Sequence, residues 1–210
     1  MSVAADAKKL AFFASSLDGF ASFVAPRQPY GHMGGTITDT ILQAGMNYRT
    51  VVQPRVQSLI DEHPEARTTT GFRNLIGFHG LRSLIRWNHP EKPRRIMDIT
   101  WFLSNEGLDT EDALREWLIR PGNASLLLCL NGVGPKSVDY LKMLVGLPAV
   151  AIDRHVRVFV QAAGLRYTQY ADVQQIVQLA ADNLGMNRNS FDWAIWSYVS
   201  AGGRSQKLSA

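Results

Sequence analysis

The sequence predicts an all-helical protein. Apolar residues recur at three- and four-residue spacing along most of the chain, while no stretch alternates at the two-residue period of a half-buried strand. Short clusters of Gly, Pro, Asn and Asp separate the periodic segments. With 210 residues, 46% of them hydrophobic, the chain is long enough for one large domain or two small ones with a buried core. It carries no repeat of solenoid length and no low-complexity tract.

Charge and cysteine content narrow the class only a little. A formal charge of +4 suits a polyanionic partner and equally an ordinary soluble protein. The one cysteine, Cys129, excludes an internal disulfide and argues against a thiolate metal site. It lies in the run Leu126 to Leu130, where burial as an inert thiol is expected. No apolar run approaches the roughly 20 residues that span a bilayer, and the N-terminal segment lacks a small-residue cleavage site. An intracellular protein is expected, cytoplasmic and nucleoid-associated if the source is prokaryotic.

Taken in order, Ala5 to about Val24 places Leu10, Phe13, Leu17, Phe20 and Val24 on one helical face. Pro26, Pro29, Gly31, Gly34 and Gly35 then read as a linker containing His32 and Met33. Thr36 to Asp39 resembles a capping box opening a helix through Ile41 and Leu42. Further helices are expected over Tyr48 to Ile60 and Phe72 to Trp87, with Gly77 to Gly80 as a turn. Lys92 to Ile96 begins a helix through Leu103, and Arg86, Lys92, Arg94 and Arg95 are candidate phosphate contacts. Asp109 to Ile119 supplies a short helix, Pro121 to Ala124 a turn, and Ser125 to Leu130 an apolar helical run. Beyond Asp153, Val173 to Leu184 and Ser190 to Val199 are helical, ending at Gly202 and Gly203. Asp192, in the apolar second of these, is read as a satisfied buried polar group or a charge in the first turn in preference to catalytic support.

The most informative stretch is Leu130-Asn131-Gly132-Val133-Gly134-Pro135-Lys136-Ser137-Val138. Gly132 and Gly134 flank one apolar residue and precede Pro135, a good first helical residue, so the chain turns tightly and then starts a helix. Amides exposed in such a turn, backed by a helix N-terminus, suit a phosphate. A nucleotide-binding loop would need a preceding strand and four residues between its glycines, which are absent here. At about 100° per residue Val138, Leu141, Leu144 and Val145 share one face of that helix. Lys136 falls nearly opposite, with Tyr140 and Met143, as a solvated lysine or one in a lined pocket.

After the break Gly146-Leu147-Pro148 comes Ile152-Asp153-Arg154-His155, where Asp153 can cap the helix built on Val156, Phe159, Val160 and Ala163.

Together, Leu-x-Gly-Val-Gly-x-Lys-Ser, the Gly-x-Pro break and Ile-Asp-x-His resemble the helix-hairpin-helix DNA glycosylase superfamily, in particular its endonuclease III-like branch. The resemblance implies a central helical barrel over about 34–150 and a second lobe from 1–33 and 151–210, with the active cleft between them. It implies Lys136 as nucleophile and Asp153 as the essential carboxylate. Asn131, Gly132, Val133, Gly134 and His155 would contact DNA. An early family helix ends in Ser-Ala-Gln, whereas this chain reads Gln43-Ala44-Gly45, with Asn47 and Tyr48 following. Trp87, Asn88 or His89 stands where the family has a wedge loop. The four cysteines that hold an iron-sulfur cluster in endonuclease III are missing, so no cofactor or metal is expected.

The expected substrate is double-stranded DNA bearing a damaged, oxidised base or an abasic site, handled by a monomer. Three activities fit these residues: a bifunctional glycosylase and abasic-site lyase, a monofunctional glycosylase in which Asp153 directs water, and a non-catalytic module that grips phosphates.

Overall fold

A computed structural model describes residues 2–24 and 28–202; the expected linker residue Pro26 and the terminal Gly203 lie outside them. Among the described residues the chain is helical, with no strand. The helices are α1 (Val3–Ser15), α2 (Met33–Leu42), α3 (Gln53–Glu62), α4 (Thr69–His79), α5 (Leu81–Leu84), α6 (Glu91–Asn105), α7 (Glu111–Ile119), α8 (Asn123–Leu127), α9 (Pro135–Leu144), α10 (Arg154–Ala162), α11 (Tyr170–Asn183) and α12 (Arg188–Ser200). Short 3₁₀ turns at Phe20–Phe23 and Pro64–Arg67 and a π turn at Tyr48–Val52 complete them. None of these helices is long and apolar enough to cross a membrane.

The chain divides into two compact units, Gln28–Leu147 and the pair of segments Met1–Arg27 with Pro148–Ala210. The first is built around α2, whose ten residues are all buried. Ile37, Ile41 and Leu42 pack there with Leu59, Phe72, Ile96 and Leu141. The expected start of this helix at Thr36 is corrected: it begins at Met33, capped by His32. Gly34 and Gly35, which look like linker residues, lie inside it because only glycine fits. A Cβ on Gly34 would stand 2.9 Å from the Phe72 ring, and one on Gly35 2.9 Å from Ile60 Cδ1.

Both ends of α2 are held by charged side chains from other helices. At its N-terminus Glu111 of α7 accepts from the amides of Gly31 (2.8 Å) and His32 (3.2 Å) and from the Thr36 hydroxyl. At its C-terminus Lys92 of α6 donates to the carbonyls of Ile41 (3.0 Å), Leu42 (2.8 Å) and Ala44 (2.7 Å). A carboxylate at the start and an ammonium at the end complement the helix dipole and occupy backbone groups that have no partner within the helix. His32 is fixed as one tautomer. Nδ1 accepts from the Gly35 amide at 3.0 Å, so Nε2 carries the hydrogen donated to the His63 carbonyl at 3.0 Å. Burial lowers its pKa and favours that neutral form.

The second unit packs α1 along α11, with Leu10, Ala11 and Ala14 against Ile176, Val177, Ala180 and Ala181. The expected helix to Val24 ends earlier: α1 stops at Ser15, and Gly19, at φ 74°, opens the following 3₁₀ turn. That turn brings Phe20 to 5.4 Å from the ring of Phe159 and 5.9 Å from that of Phe191.

Two glycine substitutions should move stability in opposite directions. Gly34→Ala forces a Cβ against the fully buried Phe72 and is expected to destabilise by about 1–2 kcal/mol despite alanine's helix propensity. Gly77→Ala, in the exposed face of α4 with nothing within 4 Å, should stabilise by about 0.5–1 kcal/mol. Urea unfolding of both variants checks the pair, and a stabilising Gly34→Ala contradicts the packing described.

Candidate functional site

The hairpin precedes α9 as expected, but its donors are not equivalent. Val133 is buried and its amide donates to the Leu130 carbonyl at 3.1 Å, so that amide is occupied within the turn. Gly132 sits at φ 78°, a conformation that suits glycine, and its missing side chain leaves room for Arg95. A Cβ there would lie 2.2 Å from Arg95 Nε. Among the described residues the Asn131, Gly132 and Gly134 amides donate to no protein acceptor. Gly134 caps α9, its carbonyl accepting from Ser137 (2.9 Å) and Val138 (3.1 Å).

The segment before the hairpin corrects two expectations. Helix α8 covers only Asn123–Leu127, and of the apolar run only Leu127 is buried. Cys129 is exposed, because the short helix gives way to successive turns before reaching it.

Lys136 lies in the first turn of α9, half-buried, and its Nζ donates to Gln43 Oε1 at 2.6 Å. One turn further on, Tyr140 donates to the carboxyl of Asp39 at 3.3 Å. Asp39 and Gln43 are four residues apart on α2, as Lys136 and Tyr140 are on α9, so the two helices run antiparallel with two polar pairs across one seam. Asp39 is fully buried and also accepts from the hydroxyls of Tyr30 (2.7 Å) and Tyr48 (3.3 Å). A carboxyl near a helix C-terminus is opposed by the dipole, and three phenol donors offset that cost. Met143, expected beside Lys136 and Tyr140 on the outer face, is instead buried.

The four cations proposed as phosphate contacts separate. Lys92 is corrected outright: its ammonium is turned inward onto the end of α2. Burial, with Arg95 and Lys136 as neighbouring cations, lowers its pKa to about 8. Arg95 lies against the hairpin and pairs with Glu91 at 3.6 Å. Arg86 pairs with Glu62 at 3.2 Å, and Arg94 is exposed. Of the wedge candidates, Trp87 packs against the core with Arg55 and Lys92 over its ring, while Asn88 and His89 are exposed.

Asp153 belongs to the other unit and caps α10. Its Oδ1 accepts from the amides of His155 (2.7 Å) and Val156 (3.0 Å), and its Oδ2 accepts from His155 Nδ1 at 2.9 Å. The His155 ring meets Trp196 edge-on at 6.0 Å, and Trp196 stacks on Trp193 at 5.0 Å. Both tryptophans are only partly buried.

The chain leading into Asp153 is extended, and side chains satisfy its backbone. Asn189 accepts from the Ala149 amide at 2.8 Å, Asp192 from Ala151 at 3.1 Å, and Tyr170 from Ile152 at 3.3 Å. Gln174 donates to the Val150 carbonyl at 3.1 Å. Asp192 is thus a satisfied buried group. Among the described residues no cluster of His, Cys, Asp and Glu could hold a metal ion.

Sequence reasoning missed the roles of Asp39, Gln43, Tyr30 and Asn189, while Asp192 was read as the satisfied buried group it is. Of the missed residues only Asp39, a charge in an otherwise uncharged helical segment, gave any sign of itself.

These geometries define an all-α protein with the fold of the helix-hairpin-helix DNA glycosylases. Among solved structures the chain is similar to H. pylori 3-methyladenine DNA glycosylase (MagIII) bound to 1,N6-ethenoadenine, with a TM-score of 0.59 over 96% of this chain and 99% of that one. At 12% sequence identity the likeness is one of fold. Residues 130–200 match a family described as "Domain of unknown function (DUF8548)". No curated protein matches the sequence.

Replacing Asp153 separates its two roles. Asp153→Ala removes the cap of α10 and is expected to cost about 1–2 kcal/mol in urea unfolding, whereas Asp153→Asn keeps a good capping group and should change stability by less than about 0.5 kcal/mol. Equal losses in the two variants would show that the cap is not what Asp153 supplies to the fold.

Proposed function

We propose that the protein is a DNA glycosylase with abasic-site lyase activity, of the lysine-bearing, endonuclease III-like kind, acting in base excision repair on a duplex with a damaged base. The observation that carries this reading is the hydrogen-bonded Lys136 amine two residues beyond the Gly-Val-Gly hairpin, whose last glycine caps α9.

In this reading the Asn131, Gly132 and Gly134 amides grip a phosphate, and His155 lies near the strand. The damaged nucleotide leaves the stack at a cost of a few kcal/mol, smaller for a lesion. As the C1′–base bond lengthens, positive charge builds on the sugar, and the Asp153 carboxylate stabilises it. The Lys136 nitrogen forms a bond to C1′ while the base departs with the electron pair and takes up the proton shed by the amine. Opening of the C1′–O4′ bond, with a second amine proton passing to O4′, gives a Schiff base. Loss of a C2′ proton to solvent then expels the 3′ phosphate and cuts the strand. An oxidised base is the substrate proposed for this route, by analogy with lysine-bearing relatives.

A second reading is favoured by the similar structure, a 3-methyladenine glycosylase holding an ethenoadenine. In it Asp153 directs water onto C1′ of an alkylated purine nucleotide, Lys136 serves as a cation, and the strand stays intact.

Borohydride trapping on duplexes carrying single oxidised, alkylated or abasic lesions decides between them. The lyase gives a covalent adduct that disappears in Lys136→Gln; base release without adduct selects the second reading, and binding with neither outcome leaves a non-catalytic module. Asp153→Asn should lower base release at least 100-fold while DNA affinity stays within about twofold, because the variant loses charge stabilisation but keeps the cap. Unchanged turnover in that variant would remove Asp153 from the chemistry.

A further inference from the structure

We propose that Gln43 is a positioning residue for Lys136, a neutral acceptor that aims the amine without holding a proton on it. The chemical consequence rests on the lyase reading above, but the contact itself does not.

Gln43 is a well-anchored group. It closes α2, where its amide donates to the Asp39 carbonyl at 3.2 Å. The carbonyls of Leu42 and Ala44, on either side of it, are both held by Lys92, at 2.8 and 2.7 Å. Its side-chain Nε2 donates to the Thr40 carbonyl at 3.3 Å, which turns Oε1 outward to meet Lys136 Nζ at 2.6 Å. A flexible four-carbon side chain is thereby held at its tip by a side chain whose backbone is itself clamped.

The choice of an amide there has a chemical meaning. An amine must lose a proton before its lone pair can attack a carbon. A carboxylate at the same distance would stabilise the ammonium and delay that loss to higher pH, whereas an amide oxygen accepts one N–H from either protonation state. Lys92 is a neighbouring cation that acts in the same sense, and Lys136 stands in the first turn of α9, at the positive end of the helix dipole. Asp39, paired with Tyr30, Tyr48 and Tyr140 one turn along the seam, is an opposing charge, and phenol donors cover its carboxyl.

The test is an isosteric exchange. In protein containing ¹³C-lysine, the Lys136 Cε resonance, identified by its loss in Lys136→Gln, is titrated in wild type, Gln43→Glu and Gln43→Leu. The acid limb of borohydride trapping on an abasic duplex is followed in parallel. Gln43→Glu should raise the Lys136 midpoint by more than about one pH unit and shift the trapping limb by the same amount. Gln43→Leu should leave the midpoint at or below the wild-type value and slow trapping about tenfold, by the loss of orientation. A Lys136 midpoint in Gln43→Glu that coincides with wild type overturns the inference. A wild type that gives no adduct overturns the lyase reading alone, since the Lys136 midpoint still decides whether Gln43 controls the amine.

Discussion

Everything on the Lys136 side of the protein depends on keeping one wholly buried helix charged at both ends. Helix α2 has no solvent-exposed face to orient it, so its position is set by Glu111 at one terminus, Lys92 at the other, and the close packing of Gly34 and Gly35. Apolar burial alone would allow such a helix to slide or roll, because the hydrophobic effect is non-directional. Hydrogen bonds from charged groups to particular backbone atoms fix its register. That register places Asp39 opposite Tyr140 and Gln43 opposite Lys136, and so turns a packing contact into a seam of two polar pairs.

The other unit solves a comparable problem differently. Asp153 follows an extended segment whose backbone groups have no neighbouring strand to pair with, and an unpaired buried amide is costly. Asn189 and Asp192 of α12 and Tyr170 and Gln174 of α11 take the place of that strand. The carboxyl that reaches the end of the segment then accepts three hydrogen bonds from the first residues of α10. Three hydrogen bonds in this arrangement fix the direction in which the carboxyl points.

How much of this was legible in the sequence varies with what each residue does. Helix α9 could be read because its buried face repeats at helical spacing and its start is marked by Gly134 and Pro135. Lys136 and Asp153 stood out because they lie in a dense local motif. The start of α2 was misread since glycine normally breaks a helix, and only the neighbouring Phe72 ring and Ile60 side chain make it the residue required. Lys92 looked like a surface cation because nothing local says that the end of α2, about fifty positions away, needs a donor. Cys129 was misplaced for the converse reason: an apolar run suggests burial, yet turns after α8 lift it to the surface. Gln43 meets Lys136, and Asp39 meets Tyr140, about a hundred residues away in the chain, and no spacing rule reaches that far.

The central claim is that the amine of Lys136 joins the DNA backbone through C1′, and peptide mapping of the borohydride-reduced adduct on abasic duplex tests it most directly. After proteolysis and nuclease digestion, mass spectrometry should find the sugar remnant on the peptide containing Lys136. A remnant on Lys92, on the terminal amine or on any other lysine would contradict the account.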